Sequence, residues 1–461
     1  MLDGLPPAGR ISGRRLTVFL GAWRRSGSRT AAADLAAAVR LLVLDGRLPA
    51  GTRLPAEREL ADALQVSRTL VGSALDKLRA ESVVASRRGS GSWITLPGTS
   101  QPAQAAPGGG LIDLARAAPE AVPGVASAID AVRLRMCELL ATNGYHDRGM
   151  PELRARIAEG YLARGVATTP EQIIVTNGAH AAFVLVLAAL AAPGDRVVVE
   201  QPGYPNAFDA IRGARCLAVP VVMGDGAWSE EDLAAALRQA GPSLAYLIPE
   251  FQNPTGHRMD TATRGRVGEL LRRTRTIGVA DETLLELHYP AGASDAPPPL
   301  AAFAEQQVVT IGSCSKSHWG GLRLGWIRAS AEIADRLVSA RSSVDLGSPV
   351  FEQLVLTELL ANGDAELESR RLAFAERRDT LVAALHQNCP QWSFRVPDGG
   401  LSLWCVLDAP VSTRLAVAAE NYGLRLAPGA RFGVHGGMER MLRVPFALPP
   451  EDLTEAARRL G

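Results

Sequence analysis

Apolar residues recur every three or four positions from Thr30 to Leu44, the spacing of one buried helical face. A turn follows at Gly46–Gly51. A second helix is predicted to start within Leu54–Leu60, with Pro55 early and acids in its first turn, where the helix dipole favours them. Val66 and Ser67 interrupt it. Ser67 carries the hydroxyl of a helix cap, so a third helix is predicted from Arg68 to Glu81. Val83–Arg87 and Ser92–Leu96 flank Arg88–Gly91 and read as a β-hairpin with a basic tip. Residues 97–110 are Pro, Gly, Ser, Gln, Thr and Ala without charge, a linker. From Leu111 the pattern changes. Short apolar runs at Gln172–Thr176, Arg196–Glu200, Leu244–Pro249, Thr276–Ala280 and Val308–Ile311 alternate with helical stretches. That alternation predicts a mainly parallel α/β sheet covered on both faces. The expected organisation is a flexible arm over 1–30, a compact module over 31–96, a linker over 97–110 and a body over 111–461.

Charge sharpens this division. The 461 residues hold 49 Lys and Arg against 48 Asp and Glu. Residues 1–96 carry 15 basic and 8 acidic side chains, a net of +7, and the remainder 34 and 40, a net of −6. A basic head suggests an anionic polymer as its partner. The longest clean apolar run, Ala181–Ala192, has 12 residues, too short for a bilayer. With no secretory pattern at the N-terminus, a cytoplasmic protein is expected. Five scattered cysteines without a CxxC pair suggest reduced thiols, neither a disulfide frame nor a metal site. Lysine is nearly absent: only Lys77 and Lys316 occur, against 47 arginines. Arginine cannot be deprotonated at working pH, so amine chemistry by a side chain has two candidates.

In the head, two short helices joined by a tight turn make a helix-turn-helix, whose second helix enters a major groove. Ser67, Arg68 and Thr69 stand at that helix's N-terminus, where backbone N–H groups and a guanidinium can face phosphate or base edges. The stretch LPAGTRLPAERELADALQVSRTLVGSALDKLRAESVV, followed by RRGSGSWI, resembles the winged helix-turn-helix of the GntR family of bacterial regulators. The resemblance implies a double-stranded DNA operator as partner, contacted by Arg58, Ser67, Arg68, Thr69, Arg87, Arg88 and Gly89. Leu70 and Gly72 lie where relatives often carry polar contacts, so the operator sequence stays open.

In the body, Lys316 sits in a small-residue loop after a predicted strand, IGSCSKSHWGGLRLG. Ser313 and Ser315 offer hydroxyls and Arg323 a guanidinium, a setting that suits phosphate. A partly desolvated lysine among cations has a lowered pKa and suits a Schiff base with pyridoxal 5′-phosphate. Asp281 at a strand end can hold the pyridine nitrogen's proton, and Asn253 in NPTG can donate to the phenolic oxygen. Asn177, Gly178 and Ala179 join a strand to a helix, and the N–H groups of Gly178 and Ala179 can bind phosphate at the helix start. Tyr204 can stack on the pyridine face. Each signal alone is also what a turn, a cap or a surface residue would give; their order and spacing carry the argument.

That order resembles fold-type I pyridoxal-phosphate proteins of the class I/II aminotransferase kind over about residues 111–461. The resemblance implies an α/β body with a smaller C-terminal α+β subdomain, joined to an α+β winged helix. Lys316 becomes the Schiff-base lysine, with Asp281, Asn253, Tyr204, Gly178, Ala179, Ser313 and Arg323 around the cofactor. Arg443 in MLRVPF matches an arginine that forks a substrate carboxylate, and Tyr145 matches a tyrosine that often reaches the neighbouring subunit's phosphate. Two departures stand out. Thr283 and Leu284 replace a tyrosine that many relatives place after the aspartate, and the Tyr145 segment is one residue short. The two-part chain resembles the MocR/GabR regulators. This implies a homodimeric transcription factor sensing an amine or amino acid by aldimine exchange at Lys316, without a membrane or metal. A working aminotransferase with an appended DNA-binding domain is the alternative, and Thr283 favours sensing.

Overall fold

The computed structural model describes residues 9–20, 23, 31–44, 48, 51–81, 83–87, 91–95, 110–224, 228–289, 296–362 and 364–461. Two compact units result: Met1–Asp113 with Leu407–Leu442, and Leu114–Val406 with Arg443–Gly461. The body expected over 111–461 is therefore divided. Part of the reason is a parallel pairing of β3, Ile112–Asp113, with Leu424–Arg425, reinforced by an Arg425–Asp113 ion pair at 3.4 Å.

Within the first unit, helices α1 (Gly13–Leu20), α2 (Ala31–Leu44), α3 (Glu57–Leu64) and α4 (Arg68–Ala80) precede a wing of β1 (Val84–Arg87) and β2 (Gly91–Ile94). The wing strands pair antiparallel, Val84 opposite Ile94. Leu35, Val39, Leu42, Leu60, Val71, Leu75, Leu78 and Ile94 share one buried core. Ser67 caps α4, its hydroxyl accepting from Leu70 N at 3.2 Å. Helix α3 begins at Glu57, later than the sequence pattern suggests, because Leu54 N donates to Ser92 O at 2.9 Å and ties that stretch to the wing. The flexible arm expected over 1–30 needs correction where it is described. Gly13–Leu20 is helical, and Ile11, Leu16 and Leu20 are buried in the head's core. Of the proposed linker only Gly110 is described, and Arg88 and Gly89 lie outside the described residues.

The second unit is built on a seven-stranded sheet of order β4-β10-β9-β8-β7-β5-β6. These are Ile173–Thr176 (β4), Arg196–Gln201 (β5), Leu217–Val222 (β6), Leu244–Leu247 (β7), Ile277–Asp281 (β8), Val308–Ser313 (β9) and Gly325–Arg328 (β10). Only β10 runs against its neighbours, pairing antiparallel with both β4 and β9. The other strands are parallel, so their carboxyl ends share one edge. β4, β7 and β9 are buried at every position, which explains why they read as continuous apolar runs. Strands β6 and β10 had no counterpart in the sequence pattern. Among the described residues, no helix is long and apolar enough to cross a membrane.

Candidate functional site: a lysine cluster at the carboxyl edge of the sheet

The sheet's carboxyl edge gathers the residues that the sequence singled out. Asp281 ends β8, Asn253 follows β7, Tyr204 follows β5, Gly178 follows β4 and Lys316 follows β9. Open α/β sheets place ligands at this edge. Burial pushes the Lys316 ammonium down to about 8, helped by the charges of Arg443 and Arg323 and opposed by Asp281. Lys316 Nζ donates to Ala117 O at 2.6 Å. A lysine of this kind supplies a nucleophilic amine near neutral pH.

Asp281 is held from two sides. Tyr246 in β7 donates its hydroxyl to Oδ2 at 2.5 Å, and Thr283 N donates to Oδ1 at 2.9 Å. Burial first, then the Asp281 charge, drives the Tyr246 phenol far above its ordinary range, so it stays a donor. A carboxylate with both oxygens engaged is fixed in orientation. The sequence reading missed Tyr246, although a polar phenol in a wholly buried strand demands a partner. Thr283 Oγ1 is buried without a hydrogen-bond partner, beside the carboxylate that its own N–H binds.

Arg443, in Met441–Pro445, donates from Nη1 to Asn253 Oδ1 at 3.3 Å and from Nη2 to Ala115 O at 2.5 Å. Arg370, in Asp364–Asn388, donates to Lys316 O at 2.9 Å and to Glu120 O at 2.5 Å. The segment from Ala115 to Glu120 thus lies against lysine and both arginines through its carbonyls. Sequence patterns carry no sign of backbone partners of this kind.

The phosphate-friendly corner also assembles. Gly178 adopts φ +93, and a Cβ there would come within 3.0 Å of Arg323 Nη2. Only glycine accommodates both demands. Ala179 opens the helix Ala179–Leu190, and Arg323 Nη2 reaches Asn177 O at 3.5 Å. Ser313 Oγ lies 3.0 Å from Ser315 Oγ. Asn177 turns its amide elsewhere, Nδ2 donating to Asp345 at 3.1 Å. Tyr204 Oη accepts from Asn206 at 3.0 Å, and burial, with Asp281 next, raises its pKa. Tyr145 is 63 % exposed, with no hydrogen bond from its ring to this cluster among the described residues. Behind Tyr204 and Asn253 lies a buried brace. Glu200 accepts from Trp228 Nε1 at 2.5 Å, Ile248 N at 3.0 Å and Gln252 Nε2 at 3.0 Å. Gln252 also donates to Pro202 O at 2.8 Å, joining the two loops.

In the head, Arg58, Ser67, Arg68 and Thr69 are all exposed at the start of α3 and α4. Arg68 Nε stands 3.8 Å from Glu57. Arg87 ends β1.

A glycine-lined corner facing a guanidinium, an orphaned hydroxyl, a doubly held carboxylate and a lysine of lowered pKa form a donor set that fits pyridoxal phosphate. With the winged helix, fold and site define a DNA-binding module joined to a fold-type I pyridoxal-phosphate body. Residues 125–460 match the class I and II aminotransferases, and residues 31–94 the gntR family of bacterial regulatory proteins. The chain belongs to the class I and II aminotransferase family and carries a gntR-family head. It is 27% identical over 456 residues to the probable rhizopine catabolism regulatory protein MocR of Rhizobium meliloti, covering 92% of this chain and 91% of that one. It is 32% identical over 355 residues to the 2-aminoadipate transaminase of Thermus thermophilus, covering 75% and 87%. The solved structure of LysN, the α-aminoadipate aminotransferase of that organism, complexed with N-(5′-phosphopyridoxyl)-L-leucine, superposes with a TM-score of 0.69 at 28% identity. That match covers 76% of this chain and 91% of that one. The combination makes this chain a pyridoxal-phosphate-dependent transcriptional regulator of the MocR type.

Proposed function

We propose that the body senses an amino acid through Lys316 and Arg443 and that the head reports the result to DNA. The carrying observation is the shared contact of both residues with one segment: Lys316 donates to Ala117 O and Arg443 to Ala115 O. When bound, pyridoxal phosphate supplies an aldehyde that condenses with primary amines and a ring that takes up electron pairs. Lys316 would hold it, Asp281 would keep the ring nitrogen protonated, and Asn253 would face the phenolic oxygen. Tyr204 would stack, and Gly178, Ala179, Ser313, Ser315 and Arg323 would take the phosphate. Asn177 would act by shaping that loop.

An amino acid that took the amine position held by Lys316 would present its carboxylate to the two donors of the Arg443 guanidinium, in place of the Ala115 carbonyl. The segment that leads back to the 97–110 linker would then lose a partner. A ligand shifts an equilibrium only through such differential contacts. Arg58, Ser67, Arg68, Thr69, Arg87, Arg88 and Gly89 would contact the operator. Two copies would present paired heads, with Tyr145 of each reaching the other's phosphate; its exposure supports that placement. Action on DNA puts this function in the cytoplasm.

The experiment is a titration of full-length protein against a duplex from the region upstream of its own gene, with amino acids added singly. The expected result is a shift in DNA affinity with some amino acids, abolished in Lys316→Ala. DNA binding indifferent to every amino acid, combined with repeated turnover to keto acids, would instead favour an enzyme with an appended head.

A further inference from the structure

Most of the head's net positive charge lies outside its gntR-family match, which begins at Ala31. Residues 31–96 hold nine basic and seven acidic side chains, a net of only +2. Residues 1–30 hold six arginines against one acid, a net of +5. Three of the six, Arg10, Arg14 and Arg15, are described, and all are exposed.

The segment carrying them is built into the head. Ile11 N donates to Arg53 O at 3.0 Å, and Arg10 bridges Arg53, which itself bridges Trp93 of the wing. Two isolated bridges thus connect the segment at Arg10, through Arg53, to the wing. Gly13 N then donates to Glu59 Oε1 at 2.9 Å, and Arg10 reaches Glu59 Oε2 at 2.6 Å. A Cβ on Gly13 would meet Glu59 O at 3.0 Å and Ala63 Cβ at 3.1 Å, so α1 and α3 approach closely there. Leu16 and Leu20 face inward with Gly13, which at 100° per residue sends Arg14 and Arg15 to the opposite side. An amphipathic helix with arginines on its outer face, fixed to both the first helix of a helix-turn-helix and the wing, continues two elements that border DNA. In a helix-turn-helix, the first helix crosses the sugar–phosphate backbone.

We propose that Arg10–Leu20 is a third DNA-contacting element, in which Arg10, Arg14 and Arg15 bind phosphates flanking the site entered by α4. This rests on the DNA-binding reading of the head. Phosphate contacts add affinity and carry no sequence information. Each one adds about 0.9 to the slope of log K against log salt.

The test uses full-length protein and two duplexes of equal length, one from upstream of its own gene and one scrambled. Arg14→Gln/Arg15→Gln is expected to weaken binding to both duplexes by a similar factor, roughly 10-fold at moderate salt, and to lower the salt slope by about 2. Arg14→Lys/Arg15→Lys is expected to restore most of the slope, because charge and not side-chain packing is at stake. An unchanged slope in the Gln variant, weakening confined to the upstream duplex, or no recovery in the Lys variant would each overturn the proposal. If wild-type protein binds neither duplex, or binds without salt dependence, it is the DNA-binding reading itself that fails.

Discussion

Both units expose arginines, but among the described residues only the body also buries them in its core. In the head, the Arg68 side chain is 74 % exposed and that of Arg10 62 %. In the body, Arg264 and Arg328 are fully buried, and Arg341 and Arg443 nearly so. Exposed arginines are screened by salt and add little to folding, which leaves them available to phosphate. Buried ones must be bonded on arrival. Arg264 meets Met259 O, Pro298 O and the Glu250 carboxylate, and Arg341 meets Asp345, Asp147 O and Val175 O. One residue type therefore builds a salt-sensitive surface and a rigid, desolvated interior. The head should answer to ionic strength and the body to pH and to ligands.

The sharpest break of that comparison is Lys316→Ala. It should abolish covalent fixation of the cofactor to the chain by borohydride entirely, while the salt slope of DNA binding stays unchanged. Mass spectrometry of the reduced chain and anisotropy on the same sample decide it; cofactor still fixed to the chain in the variant would remove Lys316 from its role. Arg443→Gln comes next. Losing hydrogen bonds from a charged fork should cost about 2–3 kcal/mol, roughly 30- to 150-fold, in affinity for amino acids. Amines without a carboxylate should be unaffected, which a parallel titration checks.

The lowered lysine pKa gives the body its pH signature. The rate at which cofactor-free protein captures pyridoxal phosphate depends on neutral Lys316, whose pKa is about 8. Between pH 6 and 8 that rate should rise about 50-fold and then level. The sign for stability follows from the same shift. With the folded pKa at about 8 and the ordinary value 10.5, the unfolded chain binds more protons between them. Stability of the cofactor-free protein should therefore rise as pH climbs through that window, other groups apart. A capture rate that stays flat from pH 6 to 8 would contradict the desolvated lysine.

What the sequence disclosed, and what it hid, follows the same line between side-chain and backbone chemistry. Lys316 stood out because arginine replaces lysine almost everywhere else, and Asp281 and Asn253 because each follows an apolar strand. Strand β6 was hidden by Pro220, which an edge strand tolerates because one side of its backbone needs no partner. Strand β10 is only four residues long and gains its identity from β4 and β9 on either side. Helix α1 looked like part of an arm because its apolar face gains its meaning only when it packs into the core formed with α2 and α3. The carbonyls of Ala115 and Ala117 carry no residue-level signal at all, yet they engage Arg443 and Lys316.

For the head, Arg68→Ala should weaken DNA binding about 10-fold, near 1.4 kcal/mol, and reduce the salt slope by about 1. Capture of the cofactor should not change. A shift in the body's spectrum with this variant would mean that the two units do not divide their work as their arginines suggest.

The smallest effect tests whether the head's reading edge is held by local capping. Ser67 Oγ accepts from Leu70 N, helping to satisfy the N–H groups that every helix start leaves open. Ser67→Ala removes that acceptor and should cost the head about 1 kcal/mol, whereas Ser67→Gly should cost only about a few tenths. Hydrogen exchange at the Leu70 amide reads this directly. In both variants that N–H is left with the Ser67 carbonyl alone at 3.1 Å, while Val71 N keeps its bond to the same carbonyl at 3.3 Å. Faster exchange at Leu70 without faster exchange in the β7 and β8 amides would localise the damage to α4. Equal exchange in wild type and Ser67→Ala would show that contacts elsewhere in the head, not the cap, hold Arg68 and Thr69 where DNA can reach them.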